Sequence, residues 1–399
     1  MTEVFIQALF FVYTTSFLWL PVLLIVVAIR VWLLYVRYTF IAKQKKVLLE
    51  LKIPKEVTKS PLAMEIFLSA LYQKGSATFL DTYLGGKIPP WFSLELVSIG
   101  GEVHFFIWTF QKYKGMVEHQ LYAQYPNIEI YEVEDYTKDI PADPVNWPMW
   151  STYFKLKKAD AYPIMTYIDY GLDKDQEEEN KVDPMTAVLE YLGALSKGEQ
   201  CWIQIVIQAN KEEGLKEGRL FTKPDWKGDV KKTIKELLEE FSPKEGTPAR
   251  PATKGEQETV SALERSLSKP AFDTAIRGVY IAEKSAFNPD NIPGLIGTFR
   301  QYSSNTLNGF GLGTFTDFDY PWQDFMRMRR TKIERQYLEA YKLRSFHQAP
   351  YKHFNQKPFV LTTEELATIF RPVSGVAVQT PTFVRIPSKK AEPPANLPV

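Results

Sequence analysis

The chain has 399 residues with 48 Lys and Arg against 47 Asp and Glu, so its net charge of +1 excludes a chain-wide electrostatic footprint for nucleic acid. One cysteine and four histidines exclude a disulfide framework and a cysteine-rich zinc site. The length leaves room for about two globular domains beyond any membrane segment.

Val4 to Ile29 contains no charged residue and is followed at once by Arg30, Trp32, Tyr35, Arg37 and Tyr38. At about 1.5 Å of rise per residue, such a run can cross a hydrocarbon core roughly 30 Å thick. Gln7, Thr14, Thr15, Ser16 and Pro21 weaken the run without breaking it, because hydroxyls bond back to the preceding turn and proline is tolerated within spans. A cleaved signal peptide would carry its basic residues before the apolar run. Here the start carries Glu3, and Arg30, Arg37, Lys43, Lys45 and Lys46 come after the run. The positive-inside rule then predicts a single pass, with the N-terminus outside and residues from Lys43 onward in the cytoplasm. Residues 1–46 are thus read as an anchor with a basic flank.

Residues 47–140 form the first predicted module. Val47–Ile53 is a candidate strand, and Ser60 with Pro61 starts a helix whose apolar face is Met64, Phe67, Leu68 and Leu71, with Gly75 as its expected stop. Phe92–Ile99 and Val103–Phe110 are β-rich runs separated by Gly100 and Gly101, a pair suited to the positive φ values of a two-residue hairpin turn. Gln111–Tyr125 has helical spacing, and Ile128–Val133 returns as a strand. The order β-α-β-β-α-β is that of a ferredoxin-like split βαβ unit, in which two helices cover one sheet face and the other face stays free for a partner.

Residues 150–370 read as a second, interrupted copy. Tyr153–Leu156 and Ile164–Tyr170 are candidate strands, Asp183 and Pro184 repeat the cap-plus-proline start, Gly198 is the expected helix stop, and Cys201–Ile207 follows as a buried strand. The next strand signal is Phe272–Ile281, so residues 210–268 are an insertion, with helices over Val230–Phe241 and Glu256–Leu267. Ile292–Tyr302 is expected as the second helix and Phe359–Leu361 as the closing strand, and residues 371–399 as an extended tail. The predicted fold class is α+β: an N-terminal transmembrane helix followed by two ferredoxin-like α+β modules, the second with a helical insertion.

No Gly-x-x-x-x-Gly-Lys-Ser/Thr sequence occurs, so the chain offers no P-loop for nucleotide hydrolysis. Gly309, Gly311 and Gly313 read as a turning or mobile loop, because no helix follows to present an N-terminus to phosphate. Cys201 reads as core filling. Asp317 and Asp319 form an Asp-x-Asp pair that could hold a divalent metal and a sugar-nucleotide diphosphate, and carry the alternative reading of a membrane-anchored glycosyltransferase-like enzyme. Arg327 to Lys357 is a basic stretch interleaved with Tyr337, Tyr341, Phe346, Tyr351 and Phe354, suited to a solvated helix face, an acidic protein partner, anionic lipid or nucleic acid.

A family resemblance sits on particular strings. These are Pro-Trp-Phe-Ser-Leu-Glu-Leu-Val-Ser-Ile-Gly-Gly-Glu-Val-His-Phe from Pro90, Glu-His-Gln-Leu-Tyr-Ala-Gln-Tyr-Pro-Asn-Ile-Glu-Ile from Glu118, and Lys-Pro-Ala-Phe-Asp-Thr-Ala-Ile-Arg-Gly-Val-Tyr from Lys269, with Leu361–Phe370 and Ser388–Pro398. They resemble the membrane-anchored N-terminal region of bacterial type IV secretion or conjugative coupling ATPases, of the hexameric DNA-translocase class. In such proteins the last string leads into the ATPase, whereas this sequence stops at Val399. Either the ATPase is encoded separately, and the resemblance then implies a non-enzymatic adaptor at the bacterial cytoplasmic membrane that holds a translocase-type ATPase in trans, or the chain is a truncated relative with a role of its own. The resemblance implies no cofactor, only indirect contact with nucleic acid, and room for a homo-oligomer. The residues expected to meet the ATPase are Arg327, Arg330 and Lys332, with Lys389 and Lys390 in the tail.

Overall fold

The computed structural model describes residues 2–54, 59–141, 143, 145–174, 182–219, 222–241, 251–318, 320–347 and 356–373. In chain order the elements are α1 (Thr2–Lys43), β1 (Lys46–Lys52), α2 (Leu62–Ala70), α3 (Phe79–Tyr83), β2 (Trp91–Ile99), β3 (Glu102–Phe110), α4 (Lys114–Gln124), β4 (Glu129–Val133) and β5 (Met149–Leu156). They continue with α5 (Pro184–Gly193), β6 (Glu199–Ala209), α6 (Trp226–Phe241), α7 (Lys254–Leu267), β7 (Ala271–Ala282), α8 (Asn291–Gly297), β8 (Phe310–Phe315), α9 (Met328–Lys342), β9 (Phe359–Thr362) and α10 (Thr363–Ile369). The chain divides into two compact units, one made of residues 1–44, 75–88 and 213–223, the other of the remainder.

In the first unit, α1 contains the one helical stretch among the described residues that is long and apolar enough to cross a membrane, Tyr13–Lys43. Its side chains Phe10, Phe17, Leu23 and Ile25 are exposed, the reverse of a soluble core helix. Two distant segments pack on its C-terminal third, where Leu33 and Val36 are buried. Trp32 Nε1 donates to the carbonyl of Tyr83 in α3 at 2.6 Å, and Arg37 Nη2 donates to the carbonyl of Glu217 at 2.5 Å. The short 3-10 turn Leu215–Glu217 is held to α3 by Tyr83 OH, which donates to the Leu215 carbonyl at 2.8 Å. Gly218 closes this turn at φ +76°, where a Cβ would stand 3.1 Å from Leu33 Cδ1. The predicted insertion therefore does more than extend the second module, since residues 213–223 cluster with the anchor helix.

The second unit is built on one antiparallel sheet in the order β4-β1-β3-β2-β6-β7-β5-β8, with β9 pairing to β7 off this path. The first four strands follow the split βαβ order, and β6-β7-β5-β8 repeats it in reverse. The two copies meet where their equivalent second strands pair, from Trp91↔Gln208 to Ile99↔Gln200. Within one chain this has the form of an isologous dimer contact, and it removes two edges that would otherwise be exposed.

One face of the sheet carries the apolar core. Leu49, Phe92, Leu94, Phe105 and Ile107 from the first copy, and Cys201, Ile203, Ile205 and Ile276 from the second, pack with Met64, Phe67 and Leu68 of α2, Val117 and Leu121 of α4, Leu189 and Leu192 of α5, Leu295 of α8 and Leu366 of α10. Alternation along each strand places these residues on the same side. Asp183 caps α5 by accepting from the Met185 amide at 2.8 Å, with Pro184 in the first turn. In the insertion, α6 and α7 pack against each other through Trp226, Val230 and Leu263, and with Val360 of β9 they form a separate small core.

The hairpin at Gly100 and Gly101 has φ values of +60° and +89°, and pairs Ile99 with Glu102. A Cβ on Gly101 would lie 2.6 Å from the Leu195 carbonyl oxygen, whereas one on Gly100 meets nothing nearer than 3.7 Å. Gly101→Ala should therefore lower stability by about 1–3 kcal/mol through strain, and Gly100→Asn by far less, since asparagine tolerates this region. Urea unfolding of the two variants checks the contrast, and equal midpoints would contradict it.

Several expectations are corrected. Ile164–Tyr170 is no strand, because its backbone is satisfied by side chains: the Ile164 amide donates to Glu365 at 2.9 Å and the Tyr167 amide to Thr368 Oγ1 at 2.9 Å. The closing strand of the second copy is β8, the glycine-rich run expected to be a loop, while Phe359–Leu361 lies in β9 beside β7. The helices expected to stop at Gly75 and Gly198 end earlier, at Ala70 and Gly193. The helix expected over Ile292–Tyr302 is a short α8 followed by a 3-10 turn. The sheet face expected to be free is covered.

Candidate functional site

The second face of the sheet is overlaid by α9, part of the basic stretch. Tyr337, Leu338, Ala340 and Tyr341 are buried against it. Opposite them, the alternating positions of β2, β6 and β7 present Glu95, Gln204 and Arg277, all fully buried and aligned by the registers Glu95↔Gln204 and Gln204↔Arg277. A buried charge needs a partner: Glu95 meets a guanidinium, and Arg277 is held by neutral acceptors. Just past α9, Arg344 adopts φ +49° and grips Glu95 with both arms, Nε to Oε1 at 2.9 Å and Nη2 to Oε2 at 3.1 Å, a bidentate pair. It also bonds Asp135, which enters from the segment after β4.

Glu95 further accepts from Ser93 Oγ at 2.7 Å, Gln204 Nε2 at 3.0 Å and Tyr136 OH at 2.8 Å. Arg277 Nη1 donates to Gln204 Oε1 at 2.9 Å and to the Ala340 carbonyl at 2.5 Å, and Nη2 to the Ser345 carbonyl. Its guanidinium lies 5.2 Å from the centroid of the Tyr153 ring. Burial works against the charge on Asp135, but the hydrogen bonds and charge of Arg344 outweigh it and hold that carboxyl below its ordinary range. Burial and the Glu95 charge push the Tyr136 hydroxyl far up, and burial does the same to Tyr341, so both stay neutral. Arg344 against Glu95 and Asp135, and Arg277 on Gln204 and the carbonyls of Ala340 and Ser345, rivet α9 to both copies of the repeat.

What this rivet presents lies at the start of α9. The 3-10 turns Pro321–Gln323 and Phe325–Arg327 lead into the helix, with Met326 and Arg327 at φ +53° and +57°. Two successive non-glycine residues in the left-handed region cost energy and need an external hold. Asp324 supplies it by accepting from the amides of Arg329 at 2.7 Å and Arg330 at 3.2 Å. The outcome is a projection on which Trp322, Phe325, Met326 and Met328 are 78, 69, 79 and 63 % exposed, with Tyr320 stacked on Trp322 at 4.6 Å. A shallow cleft of about 380 Å³ runs behind it, lined by Met326, Met328, Lys332 and Arg335.

Of the residues expected to meet a partner, Arg327 and Lys332 are both exposed at the start of α9, and Lys332 lines the cleft. Arg330 is used internally, bonding Asp317 at 3.0 Å and Glu334 at 2.9 Å. Asp317 is thereby engaged by Arg330, and its companion Asp319 lies outside the described residues, as do Lys389 and Lys390. Sequence reasoning missed Glu95 and Arg277, although a lone charge inside an apolar strand is a signal of a buried partner. It also missed Trp322, Phe325 and Met326, since nothing local distinguishes an exposed aromatic from a buried one. Among the described residues no group of three His, Cys, Asp or Glu side chains is placed to hold a metal ion.

Together these features define an α+β scaffold of duplicated ferredoxin-like modules, with one helix apolar enough to cross a membrane and a rigidly mounted basic and aromatic projection. The chain belongs to the DUF8128 family, a domain of unknown function whose match runs over residues 41–372 and so takes in the whole repeat. No curated protein matches the chain.

Proposed function

We propose that this protein is a membrane-anchored, non-enzymatic adaptor of a bacterial type IV secretion or DNA-transfer apparatus that holds a translocase-class ATPase at the cytoplasmic membrane. The observation that carries this reading is the projection at the start of α9, where exposed aromatics and methionines occur with the exposed side chains Arg327 and Lys332 on a helix tied to the sheet, just past its end, by the buried Arg344–Glu95 ion pair. Rigid aromatic anchors ringed by charge are what protein interfaces concentrate their binding energy on. The resemblance to the N-terminal region of coupling ATPases supports the identity of the partner, and the basic residues after the apolar run support a cytoplasmic location for the repeat. The hexameric class of that ATPase makes a ring of adaptors the matching assembly, with nucleic acid contacted by the motor.

The test is purification of the full-length protein from native membranes with its ATPase, as wild type and as Arg327→Glu with Lys332→Glu. Arg330 is left in place because it holds the projection together. Charge reversal should release the ATPase while the fold persists, and added salt should weaken the wild-type complex, since exposed charges are screened within about 8 Å at physiological ionic strength. Full retention of the ATPase by the charge-reversed protein, or no ATPase in any condition, would overturn the proposal.

A further inference from the structure

A groove of about 300 Å³ opens beside α1, with walls from Val26, Ile29 and Leu33 of the helix and from Tyr83, and with Arg30 and Arg219 at its polar side. Val26 and Ile29 end the charge-free run and Arg30 is the first charge after it, so the groove straddles the depth where acyl chains give way to headgroups. The segments that form its outer wall show apolar side chains to solvent: Phe79, Leu80 and Leu84 around α3, and Leu215, are 54, 66, 64 and 62 % exposed. A patch of this kind is out of place in water but suits the boundary of a bilayer, where an amphipathic segment beds its apolar side.

The charges fit an anion. Arg219 pairs through Nε with Glu213, Arg37 is turned onto the Glu217 carbonyl, and Arg30 projects from the helix surface, so arginine outnumbers carboxylate around the groove. Arginine is the side chain best shaped to meet phosphate oxygens, and apolar walls on one side only suit an amphiphile rather than a free anion. We propose that this groove binds one anionic phospholipid, its phosphodiester held by Arg30 and Arg219 and its acyl chains laid along Val26, Ile29 and Leu33. The bound lipid would fix the depth and tilt of α1 by tying the helix, α3 and the 3-10 turn to the headgroup layer.

This inference rests on the membrane-anchor part of the reading above, and the experiment separates the two. Full-length protein is taken through alkaline carbonate extraction of its membranes, then purified in mild detergent and titrated with phosphatidylglycerol or phosphatidylcholine under native mass spectrometry. Wild type should stay with the membrane and retain one phosphatidylglycerol in preference to phosphatidylcholine. Arg30→Gln with Arg219→Gln should lower that retention about tenfold, as expected when charge-assisted contacts to phosphate are removed. Val26→Trp, which fills the apolar wall and leaves both arginines, should also lower it. Unchanged phosphatidylglycerol retention in both variants, or equal binding of the two lipids by wild type, would overturn the groove assignment while the anchor stands. Displacement of the lipid by inorganic phosphate would overturn it in favour of a free anion, and release of the protein by carbonate would overturn the anchor reading and the groove together.

Discussion

Replacing Arg344 by methionine should destabilise the sheet unit by about 3–5 kcal/mol, the cost of leaving a buried charge without its partner. Arg344 and Glu95 are both fully buried, and without the guanidinium Glu95 keeps only neutral donors while Asp135 loses its cation. Neutralising Glu95 as well, by Glu95→Gln, should recover part of the loss, because the fully buried carboxylate charge is then gone, while Asp135 still lacks its cation. The measurement is urea unfolding of the full-length protein in detergent, followed by tryptophan fluorescence. Trp202 packs on Tyr341 at 5.1 Å and Trp91 donates to the Arg344 carbonyl at 2.8 Å, so both report on this layer. If Arg344→Met unfolds at the wild-type midpoint, or the Glu95→Gln, Arg344→Met pair is no better than the single change, the rivet has no such role.

Raising the pH should loosen the same unit through Glu365. This carboxyl is fully buried at the start of α10, where it accepts from the Thr362 amide and hydroxyl at 2.8 Å each and from the Ile164 amide at 2.9 Å. Burial pushes its pKa from 4.5 to about 7, outweighing those hydrogen bonds. The folded state therefore holds a proton that the unfolded chain has already released. Stability from this group is fully present below the unfolded value, and is lost as pH rises through about 7. The span corresponds to about 3 kcal/mol. Glu364 beside it is also raised by burial and contributes to the wild-type slope, so the test is the difference between wild type and Glu365→Gln. Wild type should lose stability between about pH 5 and pH 8, and the glutamine variant should lose about 3 kcal/mol less over the same interval. Parallel curves for the two proteins would contradict the assignment.

Whether the projection of α9 meets an ATPase is decided by the charge-reversal experiment, but its presentation depends on the rivet. Arg344→Met should therefore weaken partner retention as well as stability, while the Glu95→Gln, Arg344→Met pair recovers part of both. Partner loss from Arg327→Glu with Lys332→Glu, by contrast, should come with an unchanged unfolding midpoint.

What the sequence determined by itself is whatever its own neighbours decide. The apolar run before Arg30 is long enough to be a membrane helix wherever it is placed. Gly100 and Gly101 set a hairpin turn because the needed φ values are open to glycine, and Asp183 with Pro184 starts α5 because cap and first turn lie within one stretch of chain. Repeated in the same order, these local signals already spell two split βαβ units and hence the α+β class. The tertiary structure decided what depends on residues far apart. The glycine-rich run around Leu312 reads as a loop and Phe359–Leu361 as the closing strand, and pairing with β5 or β7 alone tells which one closes the second copy. Ile164–Tyr170 has strand-like composition, yet its amides find Glu365 and Thr368 some 200 positions away, as the separations of 201 residues record. The basic stretch that reads as a solvated face becomes the cover of the sheet, because Arg344 finds Glu95 across a separation of 249 residues. Such partners leave no local pattern, since a side chain's burial is set by what folds over it and not by what stands beside it in the chain.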